Sequence, residues 1–366
     1  MNNSTTTHPH SLTKKHITQR LKVGVVGATG IVGQTFMSLL EERRFPVLEL
    51  RPFASENSLG KTIHLQGRDW PVQVLKAGCF EGLDLVFFSS GDEISREWAP
   101  RAMEAGAFAV DNSAAFRMSS DCHLVVPEVN GHLVNSKSKP QIIANPNCST
   151  IQLVVALKPL DKAFGVKEVK VASYQAVSGA GQAGTDELLT QIAAFKNAQI
   201  QAQSQGQAQS SAPPKPTTFP HQILFNAIPQ IGSFNDEGFC TEEIKIQKET
   251  KKILFRPDLR ISAFTVRVPA LNAHSEVVWV TLNKAVDRED ILRAFSEAPG
   301  IVVQDYPEKS IYPTALEVSG KDPVYIGRIH RDPEDPCLWI LWVVSDNVRK
   351  GAALNGIQIA ENIFSD

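Results

Sequence analysis

The sequence predicts an α/β protein in two parts, a doubly wound parallel sheet followed by an α+β domain on a mixed sheet. Three observations point there. A short apolar strand runs into a glycine-rich turn and a helix over residues 22–44. Strands then alternate with helices, the signature of parallel βαβ units. Beyond residue 166 the chain turns β-rich, with few helices between the strands. A length of 366 residues suits two domains at roughly 150 residues each.

Residues 1–20 are polar and lack the apolar core of a secretory signal, so a disordered tail is expected. Residues 22–27 (KVGVVG) read as a strand ending at glycine, and 33–44 as a helix through the spacing of Phe36, Leu39 and Leu40. A strand at 46–51 leads to a polar turn at 55–60. A strand at 83–88, a helix at 94–105 and a strand at 108–110 follow. Pro146 forces the next helix, apolar over 151–157, to begin after it. Strands are expected at 169–175, 260–269, 276–282 and 338–344, and a final helix at 346–363 returns to the first domain. Between them, 197–220 is dense in Gln, Ala, Ser and Pro and reads as a mobile insertion. The division is therefore 21–147 with 346–366 for the first domain, and 148–345 for the second.

Charge and cysteine usage exclude several classes. With 37 basic and 39 acidic side chains the net charge is -2, which gives no global attraction to nucleic acid or an anionic membrane. No apolar run approaches the roughly 20 residues of a membrane span. Five scattered cysteines without a CxxC pair argue against a disulfide framework or a zinc site, and for a reducing cytoplasm. No metal is expected.

The segment Gly27-Ala28-Thr29-Gly30-Ile31-Val32-Gly33 joins a strand to a helix. Its GxxGxxG pattern departs from strict GxGxxG, yet glycines that turn tightly before a helix N-terminus suit a pyrophosphate. A purely structural glycine turn is the alternative. After the second strand, Ser55, Glu56, Asn57 and Ser58 offer hydroxyl and amide groups but no cation, which leaves NAD and NADP both open.

Asn145-Pro146-Asn147-Cys148-Ser149-Thr150 precedes the apolar helix. Asn147 suits an N-cap, and Cys148 would lie in the first turn, where the helix dipole lowers a thiol pKa. The bland reading is a buried, inert cysteine; cap, proline and helix together favour a nucleophile. His274 follows a proline-containing turn between two strands and is the candidate base, although surface histidines are common. Ser178 and Gly179 sit in a small-residue turn after the strand carrying Gln175. Glu242 and Lys245 are three apart, on one face if helical; a solvated charge cluster is the alternative.

Taken in order, GATGIVG, DNSAAFRM, VVPEVN, NPNCST, YQAVSGAG, FNAIPQI, EEIK, RVPALNAHSE and SDNVRKGAALN resemble the aspartate-β-semialdehyde dehydrogenases from about residue 22 to 362. The resemblance implies an NADP-binding Rossmann domain, a glyceraldehyde-phosphate-dehydrogenase-like catalytic domain, and a homodimer, in some members paired into tetramers. It implies Cys148 as acylated nucleophile, His274 as general acid/base and Gln175 as the residue orienting the thioester. Arg267 would clamp the substrate carboxylate and Glu242 its amino group, while Arg117 and Lys245 hold the phosphate. Gly27, Thr29, Gly30, Ile31, Val32, Gly33, Ser55, Asn57, Ser58, Ser178, Gly179 and Asn347 would contact the cofactor. Relatives often carry arginine where Asn57 stands, so a narrower margin of NADP over NAD is expected here.

The implied reaction is the reversible reductive dephosphorylation of L-4-aspartyl phosphate to L-aspartate 4-semialdehyde, on the route to lysine, methionine, threonine and isoleucine. A sibling N-acetyl-γ-glutamyl-phosphate reductase would have a neutral acylated amine and no use for Glu242. A sugar-phosphate aldehyde dehydrogenase should lack the EEIK and RVPALNAH strings. A non-catalytic nucleotide-binding protein on the same fold should lack Cys148 or His274.

Overall fold

The computed structural model describes residues 15–205 and 214–365. β1 (Leu21–Val26) is buried throughout except at Lys22, as befits a central parallel strand. α1 (Ile31–Glu42) buries Phe36, Leu39 and Leu40, and β2 (Val47–Phe53) pairs parallel with β1. A hairpin, β3 (Thr62–Leu65) and β4 (Arg68–Pro71), precedes β5 (Leu85–Phe88), which joins the other side of β1. Then follow α2 (Asp92–Glu104), β6 (Phe108–Asp111), β7 (His123–Leu124), α3 (Pro127–Asn130) and β8 (Ile142–Ala144). The sheet is parallel, in the order β2-β1-β5-β6-β8-β7. Its order reverses at β1, so a crevice opens beyond the carboxyl ends of β1 and β5. The Gly27–Gly33 loop lies there.

α4 (Cys148–Phe164) leaves the carboxyl end of β8 and enters the second domain. Its residues Ile151–Leu157 are buried on every side, which is why the sequence is apolar there without a polar stripe. β9 (Val166–Gln175), α5 (Gly181–Gln205), α6 (Thr241–Leu254), β10 (Arg260–Arg267) and β11 (His274–Leu282) come next. α7 (Arg288–Ser296), β12 (Ile301–Val303), α8 (Ala315–Val318), β13 (Val324–Arg331) and β14 (Leu338–Ser345) complete the domain. The sheet order is β10-β9-β11-β14-β13-β12, parallel only at β10/β9 and β12/β13. α4, α6 and α7 cover one face over a core that includes Leu153, Val171, Ile246, Val278, Phe295 and Leu341. The opposite face leaves Tyr174 and Phe264 exposed and Ile340 and Trp342 half-buried.

Three expectations are corrected in detail. The terminal helix does not run unbroken from 346: a π-turn, Arg349–Ala353, precedes α9 (Leu354–Phe364), which packs on α1 and β6. The insertion expected over 197–220 is helical through Gln205. At its far end the Thr217 and Thr218 amides donate to Glu187, and Phe219 is buried. Residues 206–213 lie outside the described residues. So do 1–14 of the expected tail, while Ile17 packs on the first core and Arg20 donates to the Val47 carbonyl.

A Cβ built on Gly33 would stand 2.2 Å from the Gly27 carbonyl oxygen, so only glycine lets α1 start this close to β1. Gly33→Ala is expected to cost about 1–3 kcal/mol as the helix shifts. A urea-unfolding midpoint equal to that of the parent would contradict it.

Candidate active site

The turn that carries Cys148 is built from both domains. Asn147 caps α4, its Oδ1 accepting the Ser149 and Thr150 amides at 3.0 and 3.1 Å. Its own amide donates to Glu249 Oε2 at 2.7 Å, and its side-chain amide to Glu242 Oε1 at 2.7 Å. Cys148 is thus the first residue of a helix fixed from below by α6. Arg117 is equally constrained: Nη1 reaches Glu249 Oε1 at 3.1 Å, Nε the Asn145 carbonyl at 2.9 Å, and Nη2 the Asn112 carbonyl at 2.8 Å. Lys252 donates to the carbonyls of Arg117, Ser119 and Cys122 and holds that loop in place.

The second sheet brings the rest through register. Arg267 and Gln175 are partners on β10 and β9, and His274 opens β11. Gln175 Nε2 donates to Glu242 Oε1 at 3.2 Å, and Lys245 Nζ stands 3.7 Å from Glu242 Oε2. Glu242 and Lys245 do share one helix face. Arg267 Nη1 donates to the Ala176 carbonyl at 2.6 Å, and its guanidinium lies over the Phe219 ring. The Ala176 amide donates to His274 Nδ1 at 3.0 Å. That bond places the ring proton on Nε2, which is buried and free of any other partner. Ala273, at φ 67°, carries the chain into His274, with its amide held by Asn347 Oδ1 at 2.9 Å. Asn347 also bonds Ser178, tying the two turns together.

A cavity of about 300 Å³ collects Val32, Arg117, Cys148, Gln175, Ser178, Gly179, Glu242, Lys245, Arg267 and Asn347. His274 sits behind Gly179: a Cβ there would lie 3.1 Å from His274 Nε2 and 2.8 Å from Arg267 Nη1. A larger hollow of about 550 Å³ on the outer face of the sheet contains none of these residues.

Electrostatics correct one expectation. Burial, and then the Glu242 carboxylate, push the Cys148 thiol up to about 12, although Arg117 and Arg267 pull it down. The lowered thiol expected from the helix dipole is not found. Burial and then Arg267 hold the His274 imidazole well below its ordinary value, hence neutral. Burial likewise raises Glu249, against the pull of Arg117. Among the described residues no group of His, Cys, Asp and Glu could hold a metal ion.

At the nucleotide crevice, Gly27 has φ 84°, and Gly30 begins α1 without a side-chain cap or an acidic first turn. Unpaired amides and an unopposed dipole suit a pyrophosphate. The turn after β2 folds over this loop, with Ser58 Oγ 3.5 Å from Thr29 Oγ1, while Ser55 and Asn57 stay exposed. Val32 alone of Gly27, Thr29, Gly30, Ile31, Val32 and Gly33 reaches the cavity wall.

Sequence reasoning missed Glu249, Lys252 and Gly351. A Cβ on Gly351 would meet Cys148 Cβ at 2.9 Å, so the π-turn backs directly onto Cys148. Glu249 could have been suspected, because it follows Glu242 by two turns on the same face of α6.

A parallel nucleotide-binding sheet joined by a cysteine-headed helix to a mixed-sheet domain defines a two-domain dehydrogenase architecture. Family models agree: residues 22–137 match the semialdehyde dehydrogenase NAD binding domain, and 157–350 the semialdehyde dehydrogenase dimerisation domain. Aspartate-semialdehyde dehydrogenase of Aquifex aeolicus is 44% identical over 94% of this chain and 98% of its own. That of Bacillus subtilis is 43% identical over 94% and 97%. The chain belongs to the aspartate-semialdehyde dehydrogenase family. The crystal structure of aspartate semialdehyde dehydrogenase II from Vibrio cholerae, complexed with ASA, superposes with TM-score 0.86 at 41% identity, over 94% of this chain and 98% of that one. The Candida albicans enzyme with NADP gives 0.70 at 27%, over 95% and 99%.

A thiol raised to about 12 is almost wholly protonated at neutral pH, and its thiolate fraction rises about tenfold per pH unit below that point. Alkylation of Cys148 by iodoacetamide in the ligand-free protein, followed by peptide mass mapping, should climb steadily across pH 7 to about 9.5. A plateau beginning below about pH 8 would mean that the thiolate is stabilised after all.

Proposed function

We propose that this protein catalyses the reversible, NADP-dependent reductive dephosphorylation of L-4-aspartyl phosphate to L-aspartate 4-semialdehyde through a thioester on Cys148. The carrying observation is the convergence, in one cavity, of Cys148 with a fork for a carboxylate (Arg267), an acceptor for an ammonium (Glu242) and two cations (Arg117, Lys245). That set complements an amino acid bearing a second, phosphorylated acid group.

Cys148 Sγ attacks the carbonyl carbon. The sulfur–carbon bond forms, the bond to the phosphate oxygen breaks, and the thiol proton leaves with the phosphate. Arg117 and Lys245 balance the phosphate charge, and Gln175 and Asn147 hold Glu242 toward the substrate amino group. The bound dinucleotide supplies the hydride that reduces the thioester. His274, its Nδ1 engaged by Ala176, presents Nε2 to the oxygen of the tetrahedral species and stabilises it until the carbon–sulfur bond breaks. Aldehyde departs, and the released Cys148 thiolate takes up a proton from solvent. Covalent catalysis thereby divides one difficult reduction into two easier steps.

The dinucleotide would rest on the amides at the start of α1, with Thr29, Ser58 and Asn57 near its ribose. No cation stands in that turn, so NAD competes more closely than in relatives with arginine. The half-open outer face of the second sheet, with Tyr174, Phe264 and Trp342, is the surface on which two copies would pair; pairing of dimers into tetramers remains a further step of the same reading. The cytoplasm suits its free cysteines.

The test is phosphate-dependent reduction of NADP, and separately of NAD, with aspartate semialdehyde. Cys148→Ser should abolish it while leaving dinucleotide affinity nearly unchanged, and a labelled aspartyl adduct trapped on any other cysteine would contradict the assignment. Arg267→Leu should raise KM for the semialdehyde, whereas Lys245→Leu should chiefly raise that for phosphate. Equal weakening of both substrates by both changes would defeat the two-cation reading.

A further inference from the structure

Among the described residues, one buried carboxyl outside this chemistry has no hydrogen bond on either oxygen. Glu276 is fully buried on β11, two residues beyond His274 and on the same face. Its strand partners are Ser173 and Val343, so no cation flanks it in the sheet. Opposite it is α4, where Gln152 follows Cys148 by four residues. Four helical residues advance about 6 Å and two strand residues about 6.7 Å, so helix and strand keep step as they leave the site. The Gln152 amide lies against the Glu276 carboxyl one layer below Cys148 and His274.

Four polar atoms in that layer lack a partner: Gln152 Nε2 and Oε1, and Glu276 Oε1 and Oε2. An ionised carboxylate only accepts, so it could take the amide N–H but would leave Gln152 Oε1 facing negative charge. A carboxylic acid closes the set: its O–H donates to Gln152 Oε1, and its carbonyl accepts from Nε2. The charged groups around the layer agree. Glu242 on α6 repels a second negative charge, His274 on β11 is neutral, and Cys148 on α4 is a thiol. Burial, the largest influence, raises the Glu276 carboxyl well above its ordinary range, against an opposing pull from the Gln152 amide.

We infer that Glu276 is a neutral carboxylic acid, paired reciprocally with Gln152, and that it acts as a positioning residue for the Cys148 turn and the His274 strand end. The pair bonds the first turns of α4 to β11 without adding a negative charge beneath a nucleophile that already feels Glu242. An aliphatic pair would fill the volume but would not fix the two elements along each other's axes.

The experiment has a spectroscopic and a kinetic arm. The kinetic arm rests on the function proposed above; the spectroscopic arm does not depend on activity. In the infrared difference spectrum of the full-length parent against Glu276→Gln at neutral pH, the carbonyl stretch of a protonated carboxylic acid should be present in the parent and lost in the variant. Glu276→Gln keeps shape, neutrality and reciprocal bonding, so its kcat should stay within about threefold, with an unchanged pH profile. Glu276→Leu should lower kcat by about tenfold or more at nearly constant KM, as expected when reacting groups are displaced. Absence of the infrared band would overturn the inference whatever the kinetics, and would do so even if the leucine variant failed to fold. A glutamine variant as impaired as the leucine variant would overturn it too, since the charge would then be the functional property.

Discussion

Everything in the site hangs on how α4 begins. Asn147 caps the helix through its carbonyl oxygen, anchors to Glu249 through its backbone amide and reaches Glu242 through its side-chain amide. One residue thus connects the carboxyl end of the parallel sheet, Cys148 and the helix that carries Glu242 and Lys245. Because Pro146 disfavours an earlier start and Asn147 caps the helix, Cys148 is its first residue.

Charge around that junction is balanced rather than simply positive. Arg117 is paired on one side with Glu249 and crosslinked to two carbonyls, so its guanidinium is held rigidly. Arg267 is desolvated, and its pKa is lowered by that burial. Glu242 accepts from Gln175 and Asn147 while keeping Lys245 within ion-pair range. These groups pay their ordering cost during folding, so their arrangement is fixed by the fold itself. The thiol stays protonated in this environment, because burial and the Glu242 carboxylate both disfavour the thiolate.

The mixed sheet supplies the geometry that helices alone could not. Arg267 and Gln175 are register partners, and His274 enters from the antiparallel neighbour, so three chemically different side chains stand side by side. Asn347, from the turn after β14, secures the Ala273 and Ser178 backbones and thereby couples the histidine turn to the small-residue turn beside it.

Local chemistry was legible in the sequence. The strand–glycine–helix unit, the asparagine cap before Cys148, and the three-residue spacing of Glu242 and Lys245 follow from dihedral limits and helical period, which act over a few residues. Composition misled at 197–220, because a Gln- and Ala-rich stretch can still continue a helix when that helix is docked, as α5 is through Val177, Leu188 and Ile223. The tertiary structure alone decided the ionisation of Cys148, the tautomer of His274, and the roles of Glu249, Lys252 and Gly351. Desolvation and hydrogen-bond partners arise from residues remote in the chain: Glu249 is 102 positions from Asn147, and Ala176 is 98 from His274. The sequence determined which groups could react; only the packing of two sheets around one helix start determined their charge and their company.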